Sequence, residues 1–409
     1  MTRNQPVDSP AMRSPALLGT AMVLLAFNLR PAAAAVGPLI HRIRVDTGLS
    51  GAGASLLVVL PVLCFGAMAP LAPTLGRRVG ARATLVGVLV VLIAGLAIRL
   101  VPGLGFLFVG TALAGTAIAV ANVLLPVLVR QNFHQRTGLM TALYTTALVG
   151  GAALAAAVAV PVADAFGGGW RAGLGIWVIP AAVALLPWLL ELRRPVEEPH
   201  NAGATPAQVR SLLHDRIAWA LTLFFGLQSA GFYAALAWLP SIFRSHGASD
   251  AKAGVLLGVS LVVGIASSLT VPALATRARD QRALVLVFVL SAVLGWLGIL
   301  LAPMSAPYLW VVLLGLGQNS LFPLALTMIV LRGGTVANTA ALSTLVQSVG
   351  YLLAAFAPLW IGALHDATGS WTTPVIVLIV LLVPQTLTGL VAGRRGTVRP
   401  SAVADGARA

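Results

Sequence analysis

The stretch ELRRPVEEPHNAGATPAQVRSLLHDR, residues 191–216, divides the chain. It is the longest internal polar run, and long apolar segments lie on both sides of it. Before it they fall near 15–40, 52–75, 83–101, 104–129, 138–162 and 171–191. After it they fall near 217–240, 252–275, 283–302, 307–331, 339–363 and 374–393. At about 1.5 Å per residue, each has the length to cross a hydrocarbon layer of roughly 30 Å. The count is six plus six.

Composition agrees with a bilayer. The 409 residues are 58% hydrophobic and 9% charged, with a mean hydropathy of +0.95; soluble domains carry about 25% charged residues. A water-soluble core of this size could not hide so much apolar surface. The chain reads as an all-α membrane protein with twelve transmembrane helices. The polar start MTRNQPVDSPAMRSP meets an apolar run too long for a signal-peptide core, so it reads as leading into a retained first helix. The expected organisation is an N-terminal six-helix bundle over 1–191, a cytoplasmic linker over 192–216, and a C-terminal six-helix bundle with a tail over 217–409.

The net charge of +15 does not point to nucleic acid, because no basic run is interleaved with aromatics. It follows the positive-inside rule instead. With the N-terminus in the cytoplasm, 19 arginines lie on the cytoplasmic side. Six basic residues (Arg42, Arg44, Arg99, Arg171, Arg244 and Lys252) lie outside. Both termini are therefore expected in the cytoplasm. Arginine outnumbers lysine 25 to 1, which points to a GC-rich bacterial genome; the expected location is a bacterial cytoplasmic (plasma) membrane. The short loops leave little surface for a soluble partner, and a monomer is expected.

The chemistry of other classes is missing from the sequence. The single cysteine, Cys64, lies in an apolar run, so neither a disulfide framework nor a metal cluster is expected. No P-loop, H-E-x-x-H or Ser/His/Asp set occurs. GLGFLFVG (103–110) has no preceding strand to make it a nucleotide fingerprint. No enzyme and no cofactor is expected; the partners are a small-molecule substrate and the bilayer.

The two halves resemble each other. ANVLLPVLV (121–129) aligns with QNSLFPLAL (318–326), matching Asn122 to Asn319 and Pro126 to Pro323. VADAFGGGW (162–170) is similar to LHDATGSW (364–371). AFNLRP (26–31) lines up with FFGLQS (224–229), which sets Gln228 opposite Arg30. Duplication of this kind marks transporters that rock two bundles about a central site.

Several stretches carry a closer likeness: FNLRPA with VGPL (27–39), LPVLCFGAMAPLAP (60–73), GLQSAGFYAALAWLP (226–240), GLGQNSLFPLALTMIVLR (315–332) and SVGYLLAAFAPLWIGALHDATGSW (348–371). Through them the chain resembles the cyanate/2-nitroimidazole transporter branch of the major facilitator superfamily. The resemblance implies two pseudo-symmetric six-helix bundles and alternating access to a cavity lined by the first, fourth, seventh and tenth helices. It implies a small anion or small polar heteroaromatic as substrate. One loop departs from the wider superfamily, which usually has G-x-x-x-D-R-x-G-R-R/K between the second and third helices. PTLGRRVGAR (73–82) has Arg77 in place of the acid.

Arg30 is the residue that asks for a function. A guanidinium at the centre of a membrane helix costs about 2.5–3.5 kcal/mol on insertion scales. It lies about ten residues from the end of its segment, too deep for easy snorkelling. It is expected to face the bundle interior, either to bind an oxyanion with its planar fork or to tie its helix to freed carbonyls. Pro31 and Pro38 free the carbonyls of Phe27 and Ala34, and Pro126 and Pro323 free those of Asn122 and Asn319. Asn28, Asn122, Tyr144, Gln228, Tyr233, Trp238, Gln318, Asn319, Gln347 and Tyr351 complete the candidate substrate contacts, with packing as the competing role for the aromatics and neighbour bonding for the asparagines. Gln347 and Tyr351 share a helix face at i, i+4. All eleven acids fall in loops, tails or helix ends. No mid-membrane carboxylate is available for a proton relay; Asp46, Asp164 and Asp366 are the nearest candidates, with capping as the alternative. Efflux of larger neutral compounds, with Arg30 purely structural, is the competing function.

Overall fold

A computed structural model of the chain describes residues 15–167, 169–193 and 204–399. The first predicted span is three helices in line: α1 (Pro15–Leu29), α2 (Pro31–Ala34) and α3 (Val36–Thr47). The prolines account for the breaks, since neither Pro31 nor Pro38 offers an N–H to the turn before it. In the second span α4 (Gly51–Met68) and α5 (Leu71–Val79) meet at a bend of 57°. Then come α6 (Ala81–Ile98), α7 (Leu104–Asn132) and α8 (Thr137–Ala165). The sixth span is α9 (Trp170–Gly175) followed by α10 (Val178–Leu192).

The short α11 (Pro206–Ser211) begins the second half of the linker and carries a capping box, Thr205 with Gln208. Six long helices follow: α12 (Arg216–Ser245), α13 (Asp250–Arg277), α14 (Arg282–Leu301), α15 (Pro307–Gly333), α16 (Val336–Thr368) and α17 (Thr372–Ala392). Among the described residues there is no strand. Among the described residues eleven spans are long and apolar enough to cross a bilayer, and the bent α4–α5 pair, taken as one span, makes twelve.

Several helices outrun the apolar segments. α3 reaches Thr47 rather than residue 40, and α16 covers 336–368 rather than 339–363. The apolar run marks the hydrocarbon layer, whereas backbone hydrogen bonding continues into the polar interface without apolar side chains. Ten residues of the linker, 194–203, lie outside the described residues.

Contacts between the two halves run through α8 with α13, and through α4 and α7 with α16. Glycines permit the approach. A Cβ on Gly138 of α8 would fall 2.5 Å from Thr276 Oγ1, and one on Gly66 of α4 would fall 2.8 Å from the Leu352 backbone N. Hydrogen bonds cross the same seam. Thr145 donates to the Ser268 carbonyl at 3.3 Å, Ser343 to the Val123 carbonyl at 3.0 Å, and Arg130 to the Gly334 carbonyl. These contacts lie at mid-depth or toward the face that carries the linker. The halves are joined on the linker face.

Arg77 has its role here. It donates to the carbonyl of Ala204, a buried residue just before α11. An acid could not make that bond, because a carboxylate has no proton to give a carbonyl oxygen. The departure from the superfamily loop pattern therefore has a structural counterpart, a strap from α5 to the linker.

Candidate substrate site

Arg30 sits in the break between α1 and α2, half-buried, with its own carbonyl accepting from the N–H groups of Ala33 and Ala34. Its guanidinium reaches across to the other half of the molecule. Nη1 donates to Tyr233 Oη of α12 at 2.8 Å, and Nη2 points at Tyr351 Oη of α16 at 3.4 Å. The ring of Phe322 on α15 lies 5.2 Å from its central carbon, within cation–π range. Tyr351 packs edge-on against Phe65 at 5.3 Å and against Phe225 at 5.0 Å, and Phe225 meets Phe322 at 6.0 Å. The cation is held by neutral aromatic groups. Among the described residues no carboxylate pairs with it, so its charge is not cancelled by the protein. Each phenol accepts from Arg30 and keeps its own O–H to donate elsewhere.

A second layer of polar groups lies along the seam. Gln347 Nε2 donates to the Asn122 carbonyl at 2.9 Å and to Ser343 Oγ at 2.9 Å. Pro126 removes the N–H that would otherwise take the Asn122 carbonyl, and a side chain from the other half occupies it. Asn122 Nδ2, Gln347 Oε1 and the Tyr144 hydroxyl are buried without a protein partner. Such groups are costly to leave unmatched.

On the α12 side, Gln318 Nε2 donates to the Gln228 carbonyl at 2.5 Å, and Gln228 Nε2 to Ser229 Oγ at 2.6 Å. Asn319 Nδ2 donates to the Ser260 carbonyl at 2.6 Å. Gln318 and Asn319 border a recess between α12, α13 and α15 whose apolar wall includes Phe232, Leu257 and Leu314. Phe232 is edge-on to Tyr233 at 5.3 Å, so the recess begins next to an Arg30 partner.

Two sequence candidates are turned elsewhere. Asn28 Nδ2 donates to the Leu24 carbonyl at 2.8 Å and the Pro180 carbonyl at 3.2 Å, between α1 and α10. Trp238 donates to the Pro358 carbonyl at 2.8 Å and packs against Trp371. The carbonyl of Phe27, freed by Pro31, faces Gly151 of α8, where a Cβ would fall 2.1 Å away. It is covered by a helix rather than opened to a cavity.

The sequence model of the Major Facilitator Superfamily matches residues 16–358. The chain belongs to the major facilitator superfamily. Within this superfamily it is 41% identical over 380 residues to the uncharacterized transporter YycB of Bacillus subtilis strain 168, covering 92% of this chain and 93% of that one. It is 36% identical over 379 residues to the 2-nitroimidazole transporter of Escherichia coli strain K12, covering 92% and 95%. It is 32% identical over 351 residues to the cyanate transport protein CynX of the same strain, covering 86% and 90%. The proton:xylose symporter XylE has a similar fold, with a TM-score of 0.71 at 15% identity, covering 92% of this chain and 94% of that one. This superfamily member is a multi-pass membrane transporter and not an enzyme.

The structure of this major facilitator protein also brings forward residues that the sequence reading passed over. Phe65, Phe225 and Phe322 close around Arg30 and Tyr351; all three lie in stretches that carry the repeat or the family likeness, but nothing in those stretches marks a phenylalanine as a site residue. Asp46 and Asp164 lie in the last turns of α3 and α8. Asp46 accepts from Trp170 Nε1 at 2.8 Å and pairs with Arg171 at 3.0 Å; Asp164 pairs with Arg42 at 2.6 Å. Both are engaged at the face opposite the linker.

Proposed function

We propose that the protein carries a small anion, or a small polar heteroaromatic with an electron-rich edge, by alternating access, and that Arg30 anchors that group. The supporting observation is the half-buried guanidinium that spans the two halves on neutral acceptors alone. A ligand anion adds the missing negative charge and takes the O–H donors of Tyr233 and Tyr351. Gln318 and Asn319, at the border of the recess beside Phe232, offer amide groups to the polar edge of a ring. The names of two relatives, a cyanate and a 2-nitroimidazole transporter, fit these two chemistries.

In this reading residues 1–191 and 217–409 are the two moving bundles, and both termini and the linker lie in the cytoplasm of a bacterial cell. The seam joined on the linker face then corresponds to a transporter closed inward and reached from outside. With Asp46 and Asp164 bound in surface ion pairs, facilitated diffusion or exchange accounts for transport without a carboxylate relay; a coupled proton would travel with the substrate.

The test is thermal stabilisation of purified wild type and Arg30→Gln by cyanate, formate and 2-nitroimidazole, followed by uptake into liposomes. A ligand at 100 times its Kd adds about 2.7 kcal/mol. Anions that stabilise only the wild type support the anchor. Neutral compounds stabilising both proteins, with anions stabilising neither, overturn it. Arg30 is already bonded to Tyr233 and Tyr351, and that outcome would make it a structural tie and leave efflux of larger neutral compounds as the function.

A further inference from the structure

Arg99 follows α6 and caps its end: its N–H donates to the Gly95 carbonyl at 3.4 Å, and that of Leu100 to the Ala97 carbonyl at 3.0 Å. By sequence it counts among the six basic residues outside the membrane. Its side chain does the opposite and is only 1% exposed. It turns back between α6 and α7, where Gly110 leaves room: a Cβ there would fall 2.7 Å from Arg99 Cγ. Its Nη1 donates to the carbonyl of Ala32 at 2.8 Å. Nε and Nη2 have no partner in the protein. A charge this deep is expensive, and packing alone would be served by a leucine.

The target of the bond explains the expense. Ala32 lies in α2, a helix of four residues bounded by breaks at Arg30 and Ala35. A single turn has little cohesion of its own, so its pose is set by what touches it. Arg30 is the N-cap of α2. Any rotation of α2 therefore swings the guanidinium that faces Tyr233 and Tyr351. A continuous line of contacts runs from Arg99 through Ala32 to Arg30 and the other half of the molecule.

We propose that Arg99 is a positioning residue: it holds α2 in the pose that aims Arg30 at the substrate. This rests on the reading of Arg30 as the anion anchor. Arg99 itself touches no substrate in this scheme.

The experiment has two arms, both on the full chain. Hydrogen–deuterium exchange without ligand is compared for wild type, Arg99→Gln and Arg99→Lys. Exchange at the amides of residues 32–36 alone is expected to be faster in Arg99→Gln and to return to the wild-type rate in Arg99→Lys. Unchanged exchange there, or a uniform rise across every span, overturns the proposal. In the second arm, cyanate affinity is measured in wild type, Arg99→Gln, Arg30→Gln and the double variant. Arg99→Gln should weaken cyanate about tenfold, one lost hydrogen bond to a charged group, and add nothing on top of Arg30→Gln. Additive losses, or a loss in Arg99→Gln with none in Arg30→Gln, would make Arg99 a binding group in its own right and overturn the positioning role. If Arg30→Gln loses cyanate and Arg99→Gln does not, the anchor stands and the positioning role falls. If neither variant, nor the wild type, responds to cyanate, the anchor reading fails, and the exchange arm alone decides whether Arg99 holds α2.

Discussion

Gly151→Ala puts the packing around the broken first span under direct strain. The added Cβ would lie 2.1 Å from the Phe27 carbonyl oxygen, 3.1 Å from its carbon and 3.4 Å from the Phe27 Cα. The atoms it meets are backbone, so no side chain can swing aside. Restoring ordinary contact requires α8 and α1 to part by roughly 1 Å, and forced overpacking of this kind costs about 1–3 kcal/mol. The neighbouring residue supplies the control. A Cβ on Gly150 meets nothing within 4 Å, and alanine there gains up to about 1 kcal/mol of helix propensity. The two variants differ only in the position of one methyl group, and since both gain the same helix propensity their stabilities should differ by the overpacking cost, about 1–3 kcal/mol, with Gly151→Ala the weaker. Thermal or denaturant unfolding in detergent measures this. Cyanate affinity should fall in Gly151→Ala as well, because Phe27 lies three residues before Arg30. Equal stability of the two variants would refute the close approach of α8 to the freed carbonyl.

Other changes separate the site from its supports. Tyr233→Phe should cost up to about 2 kcal/mol of ligand-free stability, and Tyr351→Phe less, since the Arg30 contacts are 2.8 and 3.4 Å and hydrogen bonds to charged groups are worth about 1.5–3 kcal/mol; an unfolding series that ranks them the other way contradicts the geometry. Asp46→Asn and Asp164→Asn break exposed ion pairs of little net worth, so each should leave the unfolding midpoint nearly unchanged and liposome uptake intact. Loss of uptake in either would restore a proton route through that acid. Trp238→Phe removes the N–H bonded to Pro358, so stability should drop by about 1 kcal/mol with substrate affinity unaltered. A tenfold affinity change would return Trp238 to the site.

Much of this architecture is readable in the residues alone. Twelve apolar segments, the polar divider and the matched Asn-x-x-x-Pro motifs require only helix length and the cost of charge in hydrocarbon. Arg30 stands out for the same reason, and Pro31 beside it foretells the break. What a membrane sequence conceals is rotation. Lipid and helix neighbours are equally apolar, so hydrophobicity does not show which face of α1 or α12 turns inward. Asn28 and Trp238 were therefore indistinguishable from Tyr233 as candidates. Phe65, Phe225 and Phe322 look like any core phenylalanine until their rings are seen around a cation. Arg99 illustrates the limit at a helix end, where the same residue can reach out to water or fold back into the bundle.

The guanidinium of Arg30 is bonded to groups that belong to the opposite half. In the proposed reading these phenols are an internal stand-in for the cargo's acceptor atoms. Under the proposed anchoring, a substrate's negative group has to share the Arg30 N–H groups with Tyr233 and Tyr351, and a step that separates the halves has to release both bonds. Selection for a sturdier resting molecule and selection for rapid turnover therefore act in opposite directions on this one contact. Thermostabilised variants obtained by screening without ligand should accumulate changes that tighten it, and those variants should be slow carriers.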